Sequence, residues 1–415
     1  MVGTAYNGEF TDTIAYPTIS PSNPDITVKY AYDKLGRTLN VTNLSTGLYL
    51  ARLTYNRADQ VVGIQYGNGL VSNYTYNSLG LNLRISLNKT STNPPTRMLL
   101  LDYKYNKTGT VASVVGQVNN VPVNETYKYD ALQRLISSKV TSDGSQSTLS
   151  YQYDKVGNRL SQNINGTFTT YAYNTNNNEL LSSSAPGTTV TYAYDKDGNL
   201  VNRNVTASGT VRWYYTWDVA GNLLRVTNST GQGLYAYDGF GRRVESIELG
   251  STWYYAYTGT EILYKNLLNT DNYEYVFASG LRLVMLIDRT STYYYHGDAL
   301  GSVRMITYND ATMVYTDGYQ PYGQDNGTPA GSFKNRATDK FTGKPYSTSI
   351  GLYYEYRRWY DPSIGRFISQ DPVKGEMSDP QGLNPYLYVN NDPVIFNDPS
   401  GECPWCLVGA IVGGS

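Results

Sequence analysis

The 415-residue sequence predicts an all-β fold made of tandem hairpins, and three observations carry that expectation. Tyrosine occurs 43 times against 8 phenylalanines and 5 tryptophans. Its ring suits a pleated sheet, and its hydroxyl needs either water or a hydrogen-bond partner. Charged residues make up only 16%, against the roughly 25% usual in soluble domains, so Asn, Ser, Thr and Tyr must supply the polar surface. The third observation is a short motif that returns along most of the chain. A net charge of -1 excludes the basic surfaces that attract nucleic acid or anionic membranes. No run reaches the ~18 apolar residues that a membrane-spanning helix requires.

The motif is Tyr-x-Tyr-Asp/Asn-x-x-Gly-Arg/Asn-Leu. It reads YAYDKLGRTL from Tyr30, YTYNSLGLNL from Tyr74, YKYNKTGTV from Tyr103 and YKYDALQRL from Tyr127. It continues as YQYDKVGNRL from Tyr151, YAYNTNNNEL from Tyr171 and YAYDKDGNLV from Tyr192, then YTWDVAGNLL from Tyr215 and YAYDGFGRRV from Tyr235. A degenerate copy, LTYNRADQV, starts at Leu53. The copies recur every 20 to 29 residues, a spacing that suits successive hairpins better than identical solenoid coils.

Each position has a physical reason. Tyr-x-Tyr puts both rings on one face, because strand side chains alternate. Asp or Asn opens a turn by bonding its own downstream backbone. Gly three residues later takes the positive φ that closes a type I turn with a G1 bulge. Asn177 replaces that Gly in one copy and is expected to keep the turn, since Asn tolerates the left-handed region. Gln133 replaces it in another, where a different turn is expected. About twenty strands laid in one open sheet would expose long edges. Rolling the ribbon into a spiral or tube, each turn pairing with the next, removes them. A wide hollow shell and a flattened sandwich both satisfy this pattern.

The unit resembles the YD repeat of RHS proteins, of the C components of Tc toxin complexes and of the teneurin shell. The resemblance runs from about Tyr30 to Gly401. It implies a β-ribbon spiralling into a hollow, barrel-like cage. From Tyr293 the sequence resembles the RHS repeat-associated core, in the blocks YYYHGDALGSVRMIT (Tyr293 to Thr307), FTGKPYSTSIGLYYEYRRWYDPSIGRFISQDP (Phe341 to Pro372) and NPYLYVNNDPVIFNDPSG (Asn384 to Gly401). That segment is expected to turn inward and close one end. The resulting division is a lead-in over 1–25, a YD-repeat shell over 26–292, the core over 293–401 and the start of a variable tail over 402–415. The opening residues lack a signal-peptide pattern and resemble a cut into a longer reading frame.

In the family this core often cuts its own chain after the second Asp-Pro-x-Gly motif and frees a C-terminal effector. Matching by motif, Asp371 (Ser369-Gln370-Asp371-Pro372) and Asp398 (Asp398-Pro399-Ser400-Gly401) correspond to its two aspartates, and Arg358 to its arginine. An aspartic-type site needs two carboxylates close enough to share a proton, with a guanidinium holding one ionised. The chain departs from the pattern at Glu402, where the family carries Leu, and at Gly375, one residue late in the first motif. A second candidate for that motif, Asp379-Pro380-Gln381-Gly382, follows. A purely structural core is the other reading.

Other signals favour plain readings. His296 is the only histidine, which excludes a Ser-His-Asp triad and a multi-His metal site, and it is read as a packing or hydrogen-bonding residue. Cys403 and Cys406 have redox or zinc half-site spacing but no second pair, so a local disulfide or a fragment of a further domain is the better reading. No cofactor is expected. Trp213, Tyr214, Tyr215 and Trp217, with Trp253, Tyr254 and Tyr255, could stack on sugars, but sheet packing is the simpler assignment. The ten Asn-x-Ser/Thr sequons and the scarcity of charge lean towards an exported or cell-surface protein. The functional expectation is an encapsulating shell with its own C-terminal effector as cargo, membrane contact only through the tail that begins at Leu407, and enzymatic activity at most as an intramolecular protease. The alternative is a cell-surface adhesion or carbohydrate-binding protein using the same shell uncut.

Overall fold

A computed structural model describes residues 3–7, 10–16, 26–229, 231–288, 290–373 and 381–402, with the backbone of 406–407. One 29-stranded sheet takes the chain from Gly3–Asn7 to Met313–Thr316. Within it, successive strands pair antiparallel with their sequence neighbours. The sheet runs without a break across residue 293, since Ser291–Gly297 and Val303–Tyr308 are two of its strands. After Thr316 the chain changes character. It forms a small four-stranded sheet, Tyr346–Ser347, Leu352–Glu355, Arg358–Asp361 and Arg366–Phe367, held among turns.

The repeat turn is built as its residues require. At Asp154 the backbone N–H donates to Asn158 O at 2.9 Å, while Gly157 N–H returns to Asp154 O at 3.3 Å. The Asp154 carboxylate accepts from the N–H groups of Val156 and Asn158 at 3.0 and 2.8 Å. It also accepts from the Asn158 side chain at 2.9 Å, which explains why Arg or Asn follows the Gly. Arg37, Arg134 and Arg242 clamp Asp33, Asp130 and Asp238 in the same way, each Nε at 2.7 Å.

Two copies correct the expectations. Gln133 keeps the common turn, with φ +62 and its N–H on Asp130 O at 3.1 Å. The Asp130 clamp overrides a steric cost of about 1–2 kcal/mol for a left-handed L-residue. In the copy from Tyr171 the turn is one residue longer, and Asn178 rather than Asn177 takes positive φ, with its N–H on Asn174 O at 2.9 Å.

Each turn sits beside a bulge that falls between the middle residue and the second aromatic of Tyr-x-Tyr, as between Gln152 and Tyr153. The first Tyr is buried, at 5% exposure for Tyr151, and the second is half-buried. Its hydroxyl donates to a carbonyl at the start of the preceding return strand. Tyr76 reaches Val61 O, Tyr153 reaches Leu135 O and Tyr237 reaches Leu223 O, at 2.7, 2.7 and 2.9 Å. Where the copy carries Trp217, its indole N–H makes the equivalent bond to Leu200 O at 2.7 Å. Tyr255-x-Tyr257 is a further, unforeseen copy, with its bulge at Ala256/Tyr257 and Tyr257 donating to Arg243 O at 2.8 Å.

The ribbon curves until late strands lie against early ones. Tyr16 donates to Tyr275 O at 2.6 Å, and Asn68 to Tyr308 O at 2.9 Å. Successive turns therefore meet through side chains, whereas a ladder from turn to turn was expected. Interior strands have both edges occupied by their sequence neighbours and have no backbone groups left for a third. The strands from Glu261 to Tyr308 are instead covered on both faces. Val276, Val284, Leu286 and Tyr294 join the apolar cluster of the early wall, while Tyr273, Tyr275, Met285, Ile287 and Tyr295 pack with Phe333. Further along, Tyr171, Tyr192, Tyr215 and Tyr235 pack on Leu352, Tyr354 and Trp359. The C-terminal segment thus lies on the inner, Tyr-lined face of the wall.

Candidate functional site

The local sequence brings the candidate residues together. Arg358 opens the strand Arg358–Asp361, one tight turn after Leu352–Glu355, with Glu355 as its register partner. Asp371 is tied by its N–H to Pro385 O at 2.9 Å. The Asp398–Gly401 turn lies against this hairpin, because Arg357 N–H donates to Ser400 O at 3.2 Å. Gly401 has φ +72, and a Cβ there would come within 2.3 Å of Glu355 O, so only glycine fits.

Arg358 is the centre of the arrangement and is 2% exposed. Its Nη2 contacts Asp371 Oδ2 at 2.8 Å and Asp398 Oδ2 at 3.1 Å. Its Nε donates to Gly401 O, its Nη1 to Pro385 O at 3.2 Å, and its plane stacks 3.5 Å from the Phe367 ring centroid. Asp398 also accepts from Glu402 N–H at 3.2 Å, and the Glu402 side chain pairs with Arg357 at 3.3 Å. Two carboxylates therefore share one guanidinium nitrogen, while the same guanidinium grips the last carbonyl before residue 402.

Burial raises the pKa of Asp371, and Arg358 pulls it back; burial likewise lowers that of Arg358 against the pull of Asp371 and Asp398. Two neighbours escaped sequence reasoning. Lys344 donates from Nζ to Pro399 O at 2.7 Å. Glu355 is wholly buried, and its pKa is pushed up to about 8 by burial. A lone acid ending the aromatic strand Leu352-Tyr353-Tyr354-Glu355 was the available signal, since the alternation gives it no wet face.

The remaining candidates fall elsewhere. His296 is buried, with Nε2 2.9 Å from Thr307 Oγ1 and its ring edge-on to Tyr66. Burial drops its pKa to about 3, so it is neutral. Tyr215 is buried, Lys265 and Tyr273 pack on Trp253, and Tyr255 stacks under Arg243, leaving Tyr214 and Tyr254 as the exposed members of the two ladders. Cys403 and the side chain of Cys406 lie outside the described residues, as do Gly375 and Asp379. Among the described residues no group of three His, Cys, Asp or Glu side chains could hold a metal.

Comparison with known proteins gives this geometry its context. Toxin subunit YenC1 of Yersinia entomophaga is 24% identical over 421 residues, covering 85% of this chain and 42% of the subunit. The tRNA nuclease WapA of Bacillus subtilis strain 168 is 30% identical over 202 residues, 47% of this chain and 9% of the nuclease. The chain thus spans less than half the length of these relatives. A chain of the Photorhabdus luminescens Tc holotoxin pore matches with a TM-score of 0.72 at 20% identity, over 93% of this chain and 22% of its own length, which establishes a common fold. The family model described as the teneurin YD-shell matches residues 94–394, from just before the copy that starts at Tyr103 to the last turns before Asp398. A match of that extent makes the chain a member of the teneurin YD-shell family.

Proposed function

We propose that this structural shell belongs to a secreted or cell-surface container that holds its own C-terminal segment, and that Arg358, Asp371 and Asp398 cut the chain after Gly401. The observation that carries the reading is the single guanidinium that contacts both carboxylates and the Gly401 carbonyl. In the reaction a water oxygen adds to the Gly401 carbonyl carbon and gives its proton to the carboxylate pair. Arg358 stabilises the oxyanion as it forms. The Gly401–Glu402 C–N bond then breaks, and the carboxylate pair delivers that proton to the Glu402 nitrogen, which Asp398 already contacts. The products are a Gly401 carboxyl terminus and a free Glu402 amine.

The toxin subunit and nuclease relatives support a cargo beyond residue 402. Intact-mass measurement on the purified full chain tests the reading. Loss of residues 402–415 is expected, and Asp371→Asn or Asp398→Asn should slow it by at least about a hundredfold, the low end of what general acid–base groups contribute. A chain that stays whole in all three forms would point to the adhesion role instead.

A further inference from the structure

Glu355 has no part in the chemistry above, yet its surroundings are unusual. Its side chain is fully buried, and among the described residues neither carboxyl oxygen has a hydrogen-bond partner. A buried carboxylate in that state is costly, and the group keeps its proton instead. The groups that face it come from five separate segments. They are Lys344 after the short turn Phe341–Gly343, Asp398 of the processing turn, Arg358 on the adjoining strand, Glu261 at the start of Glu261–Leu267, and Tyr388. Burial pushes the Glu355 pKa up to about 8, Lys344 and Arg358 oppose this, and Asp398 and Glu261 add to it.

We propose that Glu355 is a third carboxyl of the processing site, present as the neutral acid, and that its ionisation shuts the site down; this rests on the cleavage reading above. Arg358 and Lys344 hold the Gly401 and Pro399 carbonyls. A new negative charge at Glu355, which both cations already influence, draws them off those oxygens, and the bond to be cut loses its oxyanion donor. Glu355 touches no reacting atom; it is a positioning residue that works through Arg358 and Lys344.

The test follows self-cleavage of the full chain by intact mass as a function of pH, beside the Glu355→Gln chain, which carries a permanently neutral isostere. The unsubstituted chain should lose rate about tenfold per pH unit above the Glu355 pKa, and Glu355→Gln should abolish that alkaline limb whatever it does to the maximum. Superimposable profiles overturn the proposal. A second readout is independent of cleavage. A group whose folded pKa lies above its ordinary value of 4.5 gives stability that is lost as pH rises towards about 8. The thermal midpoint of the unsubstituted chain should therefore fall more steeply over that window than that of Glu355→Gln, and equal slopes again overturn the proposal. A chain that never sheds residues 402–415 yet shows this difference in slope overturns the cleavage reading and leaves only a protonated buried acid.

Discussion

Gln133 shows how the repeat treats a residue that breaks its rule. The motif asks for glycine because the fourth turn position has positive φ, and Gly157, Gly198 and Gly221 all supply it, at +84, +78 and +78. That requirement is legible in the sequence. The behaviour of Gln133 is not, because it depends on how many bonds the turn makes elsewhere. Asp130 accepts from Leu132 and Arg134 N–H at 2.9 and 3.0 Å and from the Arg134 guanidinium, and these bonds hold Gln133 at φ +62. Replacing Gln133 with Gly should relieve the strain and stabilise the fold by about 1 kcal/mol, somewhat offset by the extra freedom of glycine when unfolded. Urea denaturation checks this through a higher midpoint at unchanged slope. A lower midpoint would mean the Gln side chain contributes more than its backbone costs.

At the scale of the hairpin, the strand–turn–strand unit and its bulge could be read from Tyr-x-Tyr-Asp-x-x-Gly, since all its determinants lie within one copy. The tie between copies could not. Tyr76 OH bonds Val61 O, 15 residues upstream, in a strand whose identity the motif does not encode. Trp217 occupying the same role, with its indole N–H on Leu200 O, argues that the position selects an aromatic with a donor at its far end. Tyr76→Phe keeps the ring and removes only the donor. It should cost about 1 kcal/mol, the usual net value of one hydrogen bond with its acceptor left in place, and Trp217→Phe should lose more because packing area goes too. Equal midpoints for Tyr76→Phe and the unsubstituted chain would show that the bond is replaced by water.

At the scale of the whole molecule, the order of the blocks was legible and their layering was not. The wall strands alternate clearly, but the strands from Glu261 to Tyr308 bury both faces, and nothing local says which layer each face meets. Convergence of Arg358, Asp371 and Asp398 could be anticipated only by resemblance, and Glu355 not even so, since its isolation is a property of the assembled layers. That layering also buries acids against their preference. Burial raises Asp392 to about 7 against the opposing influence of the nearby Val394 and Ile395 backbone, and raises Asp317 to about 7 despite Lys340 at 3.3 Å. Both start from 3.8, so each binds more protons folded than unfolded over that interval. Their contribution to stability is complete below the unfolded pKa and lost as pH rises through about 7. The chain should thus melt at a higher temperature at mildly acidic pH than at neutral pH, the reverse of a protein held by ionised carboxylates. Asp392→Asn removes one titrating group without changing shape, and should flatten that slope between the unfolded and folded pKa values. A melting temperature that climbs with pH across this range would mean that the buried acids are ionised in the folded chain, and that the layers are wetter than their packing implies.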